Sequence, residues 1–302
     1  MRTVIHFLFV VSIGLILLSA HDLYAATGAV EVVSPARPDA MAYPVTFRSV
    51  QAGTEADNPA LFLNSDGTPY LGRVGIDTWI GGRTRLYDLP VLFALSPELQ
   101  AQIDVPFTSR SVDSYSAGSS TETGLADIVL SLKYRVEMDN LFECYSVLSA
   151  KFPTGNPEKG LGTGGYDFSF THKTIVMLGS YRTVFMAGIT IPPPSGTKLN
   201  GSSVEYGPTV SYMVATERTF SSTGLRFGIK TAGLHSFNSK INSETQQNAL
   251  TTLDLIPEVS WPFSKEGRLQ AGIVIPMITL YDLPGSANRR DLLFNIGVYK
   301  SF

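Results

Sequence analysis

Charged side chains at every second position of otherwise apolar runs are the first chemically capable feature of this sequence. Arg73, Asp77, Glu98, Asp104, Asp127, Lys133, Arg135, Lys151, Asp167, Lys173, Glu205, Arg226, Lys230, Asp254 and Glu258 fall opposite apolar neighbours when their segments are read with period two. Both signs are mixed, so no block favours anions or cations. Turned toward a common interior, such a set has two readings. One is a water-filled passage tuned by charge; the other is a narrow interior filled with ion pairs. The pattern leaves both open.

The remaining reactive groups offer less. His172 and His235 are the histidines beyond residue 25. A lipid-acting enzyme would need a hydroxyl beside one of them, and Ser169 falls on the face opposite His172 in a regular strand. Two isolated histidines do not make a metal set, so neither a metal nor a cofactor is expected. Cys144 is the single cysteine, which excludes an intrachain disulfide. The glycine-rich stretch 155–165 lacks a lysine followed by Ser or Thr after its last glycine and sits between strands. It reads as an external loop, not a phosphate cradle.

The elements that must position these groups follow from the same alternation. In 98–107, Leu99, Ala101, Ile103, Val105 and Phe107 share a face; in 126–136 the apolar set runs from Ala126 through Ile128, Leu130, Leu132 and Tyr134 to Val136. Leu225, Phe227 and Ile229 oppose Arg226 and Lys230, while Leu253, Leu255, Val259 and Trp261 oppose Asp254, Glu258 and Ser260. These runs exceed the roughly 5–6 residues of an ordinary strand and match the roughly 9–11 that cross a bilayer with tilt.

The period predicts twelve strands, at 72–80, 84–94, 98–107, 124–136, 141–153, 165–178, 181–191, 204–215, 222–235, 249–263, 267–278 and 290–302. Short connections fall near 96–97, 137–140, 179–180, 216–221 and 264–267; long polar ones fall at 108–123, 153–164, 192–203, 236–248 and 281–290. Short periplasmic turns and long external loops are the habit of outer-membrane barrels. Four ascending strands also end on an apolar residue and a proline, at Pro106, Pro153, Pro192 and Pro276. Proline is expected there at the rim, where a missing donor costs least.

Composition agrees. Charged residues make up 16% of the chain, against about a quarter in soluble domains, and a net charge of −3 gives no footing for nucleic acid. Residues 1–25 read as a signal peptide: Arg2, an apolar run from Val4 to Leu18, then Ala25 and Ala26. Residues 26–70, interrupted by Pro35, Pro38, Pro44, Pro59 and Pro69, read as a periplasmic tail or a plug folded into the lumen. No later apolar run is long enough for a transmembrane helix, so if the chain lies in a membrane, 71–302 must cross it as the strands of a closed barrel.

The last strand carries the most specific pattern. Leu292, Phe294, Ile296, Val298 and Phe302 share a face, with Asn295 and Gly297 opposite. This looks like the sorting and assembly signal of outer-membrane proteins, and implies barrel-assembly machinery and outer-membrane lipid as partners. Lys300 stands where a hydrophobic residue is usual; its stem can stay apolar while the amine reaches water.

Several motifs resemble a family of outer-membrane channels named for the MetA pathway of phenol degradation. They are Val105-Pro106-Phe107, Gly124-Leu125-Ala126-Asp127-Ile128, Lys133-Tyr134-Arg135, Lys151-Phe152-Pro153-Thr154-Gly155-Asn156-Pro157, Lys159-Gly160-Leu161-Gly162-Thr163-Gly164 and Tyr166-Asp167-Phe168. The resemblance spans about 70–302 and implies a barrel that passes small, often aromatic or hydrophobic, molecules. The expectation is therefore an all-β, antiparallel transmembrane barrel with a periplasmic C-terminus, in the outer membrane of a Gram-negative bacterium, with transport as its function and no enzymatic activity. A lipid-modifying barrel and a non-transporting scaffold that presents its loops are the alternatives.

Overall fold

The computed structural model describes residues 71–302 apart from 82–83, 97, 115–117, 140, 160, 193–196, 200–201, 247–248 and 282–291. The expected signal segment 1–25 and the tail or plug 26–70 lie outside the described residues. All regular structure among the described residues is β. The strands are β1 (Gly72–Gly81), β2 (Thr84–Ala94), β3 (Leu99–Ser114), β4 (Gly118–Leu125), β5 (Ile128–Asp139), β6 (Phe142–Phe152), β7 (Asp167–Leu178), β8 (Tyr181–Ile191), β9 (Thr197–Leu199), β10 (Ser202–Glu205), β11 (Thr209–Phe220), β12 (Leu225–Ser236), β13 (Lys240–Ile241), β14 (Glu244–Thr245), β15 (Leu250–Pro262), β16 (Gly267–Tyr281) and β17 (Leu293–Ser301).

Thirteen of these form one antiparallel sheet that closes on itself, because β1 pairs with both β2 and β17. β4 and β5 follow one another along the same neighbour, with Phe107 opposite Leu125 and Asp104 opposite Val129. They make one interrupted stave, so the barrel has twelve. The four short strands β9, β10, β13 and β14 pair among themselves as a separate sheet.

The alternation turns apolar residues outward. Val74, Ile76 and Ile80 of β1, Leu130, Leu132 and Tyr134 of β5, and Phe294, Ile296 and Val298 of β17 are all exposed. Inward positions on the same strands are buried and largely polar: Asp77 on β1, Lys133 on β5 and Asn295 on β17. That is the reverse of a water-soluble sandwich and the arrangement a lipid-facing barrel requires. Exposed aromatics stand near both strand ends, with Phe93, Tyr181, Phe220, Trp261 and Phe302 at the short-turn end and Phe107, Phe168 and Phe294 at the other. Such girdles sit at membrane interfaces.

Several predicted boundaries move. β3 runs on to Ser114 and pairs with β4, so the expected loop 108–123 is mostly a hairpin that extends the wall. The turn expected at 216–221 lies instead at 221–224, and the strand expected at 204–215 is Thr209–Phe220. Glu217 and Arg218 look like turn residues but have partners on the wall. Glu217 faces inward to Arg182 at 3.2 Å, and Arg218 lies outward over the rings of Tyr181 and Phe220, at 5.5 and 5.0 Å from their centroids.

Two of the four rim prolines are misplaced by the sequence pattern. Pro153 and Pro192 follow strand ends, but Pro106 and Pro276 lie inside β3 and β16. Both stand at irregularities. Opposite Val105 and Pro106 the neighbouring stave carries three residues, Ala126, Asp127 and Ile128. Beside Pro276 the register shifts by one, because Leu253 faces Ile278 whereas Asp254 faces Pro276. A residue without an N–H donor is tolerated where the ladder is already broken.

Barrel closure depends on two contacts of the C-terminal strand. The Phe302 ring covers Gly72, and the Phe302 amide donates to the Gly72 carbonyl at 3.0 Å. Inside, the Tyr299 ring lies across Gly75 and Gly297 and donates its hydroxyl to Asp77. Asn295 is buried opposite Trp79.

Candidate functional site

The inner wall is built around a buried apolar cluster that includes Trp79, Tyr145, Ile175, Met186, Met213, Ile256 and Val274. Polar groups gather around it at each end of the barrel and in a further set between the ends.

At the long-loop end the bulge opposite Pro106 turns two consecutive residues inward, Ala126 and Asp127, both buried. The alternation had put Ala126 outward; the extra residue changes the phase. Asp127 then meets the segment 153–166, which folds over the inner side of the wall. Its Oδ1 accepts the Gly155 amide at 3.0 Å, and its Oδ2 accepts the Thr163 amide at 2.8 Å and the Thr163 hydroxyl at 3.1 Å. The Lys151 ammonium lies 3.6 Å from Asp127 Oδ2, forms an ion pair with Asp167 and donates to the Thr163 hydroxyl. Lys151 and Asp127 side chains are 2% and 0% exposed, so the charges compensate one another in place of water. Burial, helped by the nearby Asp167 and Asp127 carboxylates, pushes the Tyr206 phenol up to about 12.

Local sequence explains the segment's shape. Asn156 Oδ1 accepts the amides of Glu158 and Lys159 at 3.0 and 3.3 Å, a turn that Asn favours. Thr154 bridges the interrupted stave, donating to the Ala126 carbonyl at 2.8 Å and accepting the Ile128 amide at 3.0 Å. Leu161 is buried against Gly124, where a Cβ would come within 2.9 Å of it. Gly162 lies so close to Asp127 that a Cβ would overlap the carboxylate. The motifs that carried the family resemblance thus meet at one place: Asp127, Lys151, Gly155, Thr163 and Asp167.

At the short-turn end the pairs are Arg135 with Glu143 at 2.8 Å, Arg182 with Glu217 at 3.2 Å, and Lys230 with Glu258. The Gln270 amide donates to Glu258 at 2.8 Å, the Tyr145 hydroxyl to Glu143 at 2.9 Å, and Arg268 to Ser260 at 3.0 Å. Arg73 donates to Ser301 at 3.3 Å. Between the ends, Asp77, Asp88 and Asp104 sit on three successive staves, with Asp77 directly opposite Asp88. Lys133, Lys173, Arg226 and Asp254 also lie at inward positions, and all but Arg226 are buried.

Two predicted lining residues are elsewhere. Glu98 is exposed in the turn before β3, accepting from Ser96 at 3.1 Å. Glu205 belongs to the small sheet, where it pairs with Lys240 at 3.4 Å; β11 begins four residues later. Asp88, Glu143, Arg182 and Glu217 were missed. Arg182 shares its face with Val184 and Met186, so its own strand gave no polar side to read.

Neither histidine faces the lumen. His172 Nδ1 lies 3.2 Å from the Ser146 hydroxyl on the outer wall, and His235 Nδ1 lies 2.8 Å from the Thr251 hydroxyl. Ser169 is on the inner face, as the period requires. No group of three or more metal-ligating side chains gathers among the described residues.

No protein-family model matches the chain, and no curated protein matches its sequence. Solved structures do match its shape. The COG4313 outer membrane channel from Pseudomonas putida F1 superposes with a TM-score of 0.62 at 10% identity, over 81% of this chain and 99% of that one. The fold is that of an outer-membrane barrel. The NanC porin is also similar, with a TM-score of 0.51 at 10% identity over 76% of this chain and all of that one. At such identities the likeness concerns the fold alone.

Proposed function

We propose that this chain is an outer-membrane channel that admits a small solute through its lumen. The observation that carries the reading is the inversion of the barrel: an apolar, aromatic-girdled outer wall around an inner wall of paired charges and amides. The solute class is the hydrophobic or aromatic one that the motif resemblance implies. The amphipathic interior, an apolar cluster set among polar groups, suits such a molecule. The C-terminus belongs on the periplasmic side and the long loops outside.

A lipid hydrolase draws support from Ser146 and His172, which lie within hydrogen-bond reach. Geometry weighs against it. Both residues stand near the middle of their strands, with backbone amides engaged in strand pairing on either side. A nucleophile there would have neither an oxyanion donor nor water. The hydroxyl instead satisfies an imidazole that lipid could not.

The test is reconstitution of the full chain, and of a form lacking 26–70, in planar bilayers and in liposomes for swelling assays. Conductance or solute uptake in either form is expected. Neither in both forms would overturn the channel reading.

A further inference from the structure

We propose that the segment 153–166 sets the aperture of the barrel mouth, with Lys151 as the positioning residue that holds it there; the proposal rests on the channel reading. Three observations carry it. The segment lies on the lumen side of the wall, because Asp127, to which Gly155 and Thr163 donate, is an inward-facing buried residue. Its buried polar attachment is at Asp127, which Lys151 pairs with alongside Asp167, while Thr154 ties its start to the wall and Lys159 pairs with Glu122 at 3.3 Å nearer the surface. Finally, the bulge that sets Ala126 and Asp127 side by side on the inner face, and the glycine that fits against Asp127 at 162, meet at this contact.

Lys151 neutralises both carboxylates of the knot. Without its ammonium, Asp127 and Asp167 face one another unscreened inside a buried site, and like charges there repel strongly. Asp127, fully buried, regains water only if the segment lifts. Lifting it would free the inner surface beside Gly124 that Leu161 now covers.

The experiment uses Leu161→Cys in a Cys144→Ala background, with the reconstituted protein labelled by a membrane-impermeant maleimide. Lys151→Met should speed labelling on the order of a hundredfold, from the loss of a buried charge partner. In the form lacking 26–70 it should also raise single-channel conductance. Gly162→Ala is the second variant: its Cβ pushes the segment off Asp127 while every charge on the wall stays in place. It should raise both readouts even if Lys151→Met fails to fold. Faster labelling with unchanged conductance would overturn the aperture role; unchanged labelling in both variants would overturn the latch. If the form lacking 26–70 conducts but neither variant alters it, this proposal falls and the channel stands. If no form conducts, the channel reading falls first.

Discussion

Replacing Gly75 with alanine should weaken barrel closure through Tyr299, not through β1 itself. A Cβ on Gly75 would stand 2.5 Å from Tyr299 Cδ1, closer than any real contact, and 3.2 Å from Pro90. The strand cannot retreat, since it pairs with β2 on one side and β17 on the other. The ring must therefore swing away, and its hydroxyl then leaves Asp77. Losing a packed aromatic costs about 3–5 kcal/mol when the site does not collapse. Taking a donor from a buried carboxylate adds about 1–3 kcal/mol. Partial exposure of the ring and water entering the lumen reduce both, so we expect about 3 kcal/mol overall. Urea unfolding in lipid vesicles, followed by the gel mobility difference between folded and unfolded barrel, would measure it. The decisive comparison is a double-mutant cycle. In a Tyr299→Ala background, Gly75→Ala should cost less than about 0.5 kcal/mol, because the clash has gone. An equal cost in both backgrounds would refute the argument and return the effect to the strand.

Three further outcomes follow from the interior and the loops. Arg182→Met should destabilise by about 3–5 kcal/mol by stranding Glu217, whereas the double variant Arg182→Met, Glu217→Met should recover most of the loss; equilibrium unfolding of the pair and the single variant decides it. Tyr206 has its phenol raised to about 12, so the folded state holds that proton more tightly than the unfolded one. Stability should be full below about pH 10 and fall as pH rises toward 12, by about 2 kcal/mol. Tyr206→Phe should remove that slope, which alkaline unfolding midpoints would show. Glu205→Ala should change stability by less than about 0.5 kcal/mol, since its pair with Lys240 is solvent-exposed; thermal unfolding would register any larger loss.

Much of the wall was legible because lipid and lumen impose a strict period of two, and a slip of one residue would turn every side chain to the wrong solvent. β5, β12, β15 and β17 therefore lie within a few residues of where alternation put them. What the period cannot see is pairing across strands. Arg182 and Glu217 lie 35 residues apart and meet only through the β8–β11 register. Ser146 reaches His172 in the same way, across β6 and β7, while local reading considered only Ser169. Glu205 failed for a different cause. Val204 and Glu205 alternate as wall residues would, but they pair with Ile241 and Lys240 in the small sheet, and no local pattern distinguishes the two.

Proline links the irregular part of the wall to the inward knot. A residue without an N–H cannot complete a ladder, so a proline inside a stave favours a bulge there or on its neighbour. Pro106 has its bulge on the neighbouring stave, at Ala126 and Asp127, and the Ala126 amide still donates to the Pro106 carbonyl at 2.8 Å. Pro276 has its extra residue on its own strand, where Met277 and Ile278 both end up exposed. The first arrangement sets a charged residue, Asp127, beside Ala126 on the inner face, whereas the second leaves two apolar residues outward. Had the extra residue fallen within β3 instead, Asp127 would keep its place in the alternation but not its offset from Lys151 and Thr163. The position of the missing donor thus sets where the segment 153–166 can be held, which makes Pro106 a determinant of the mouth.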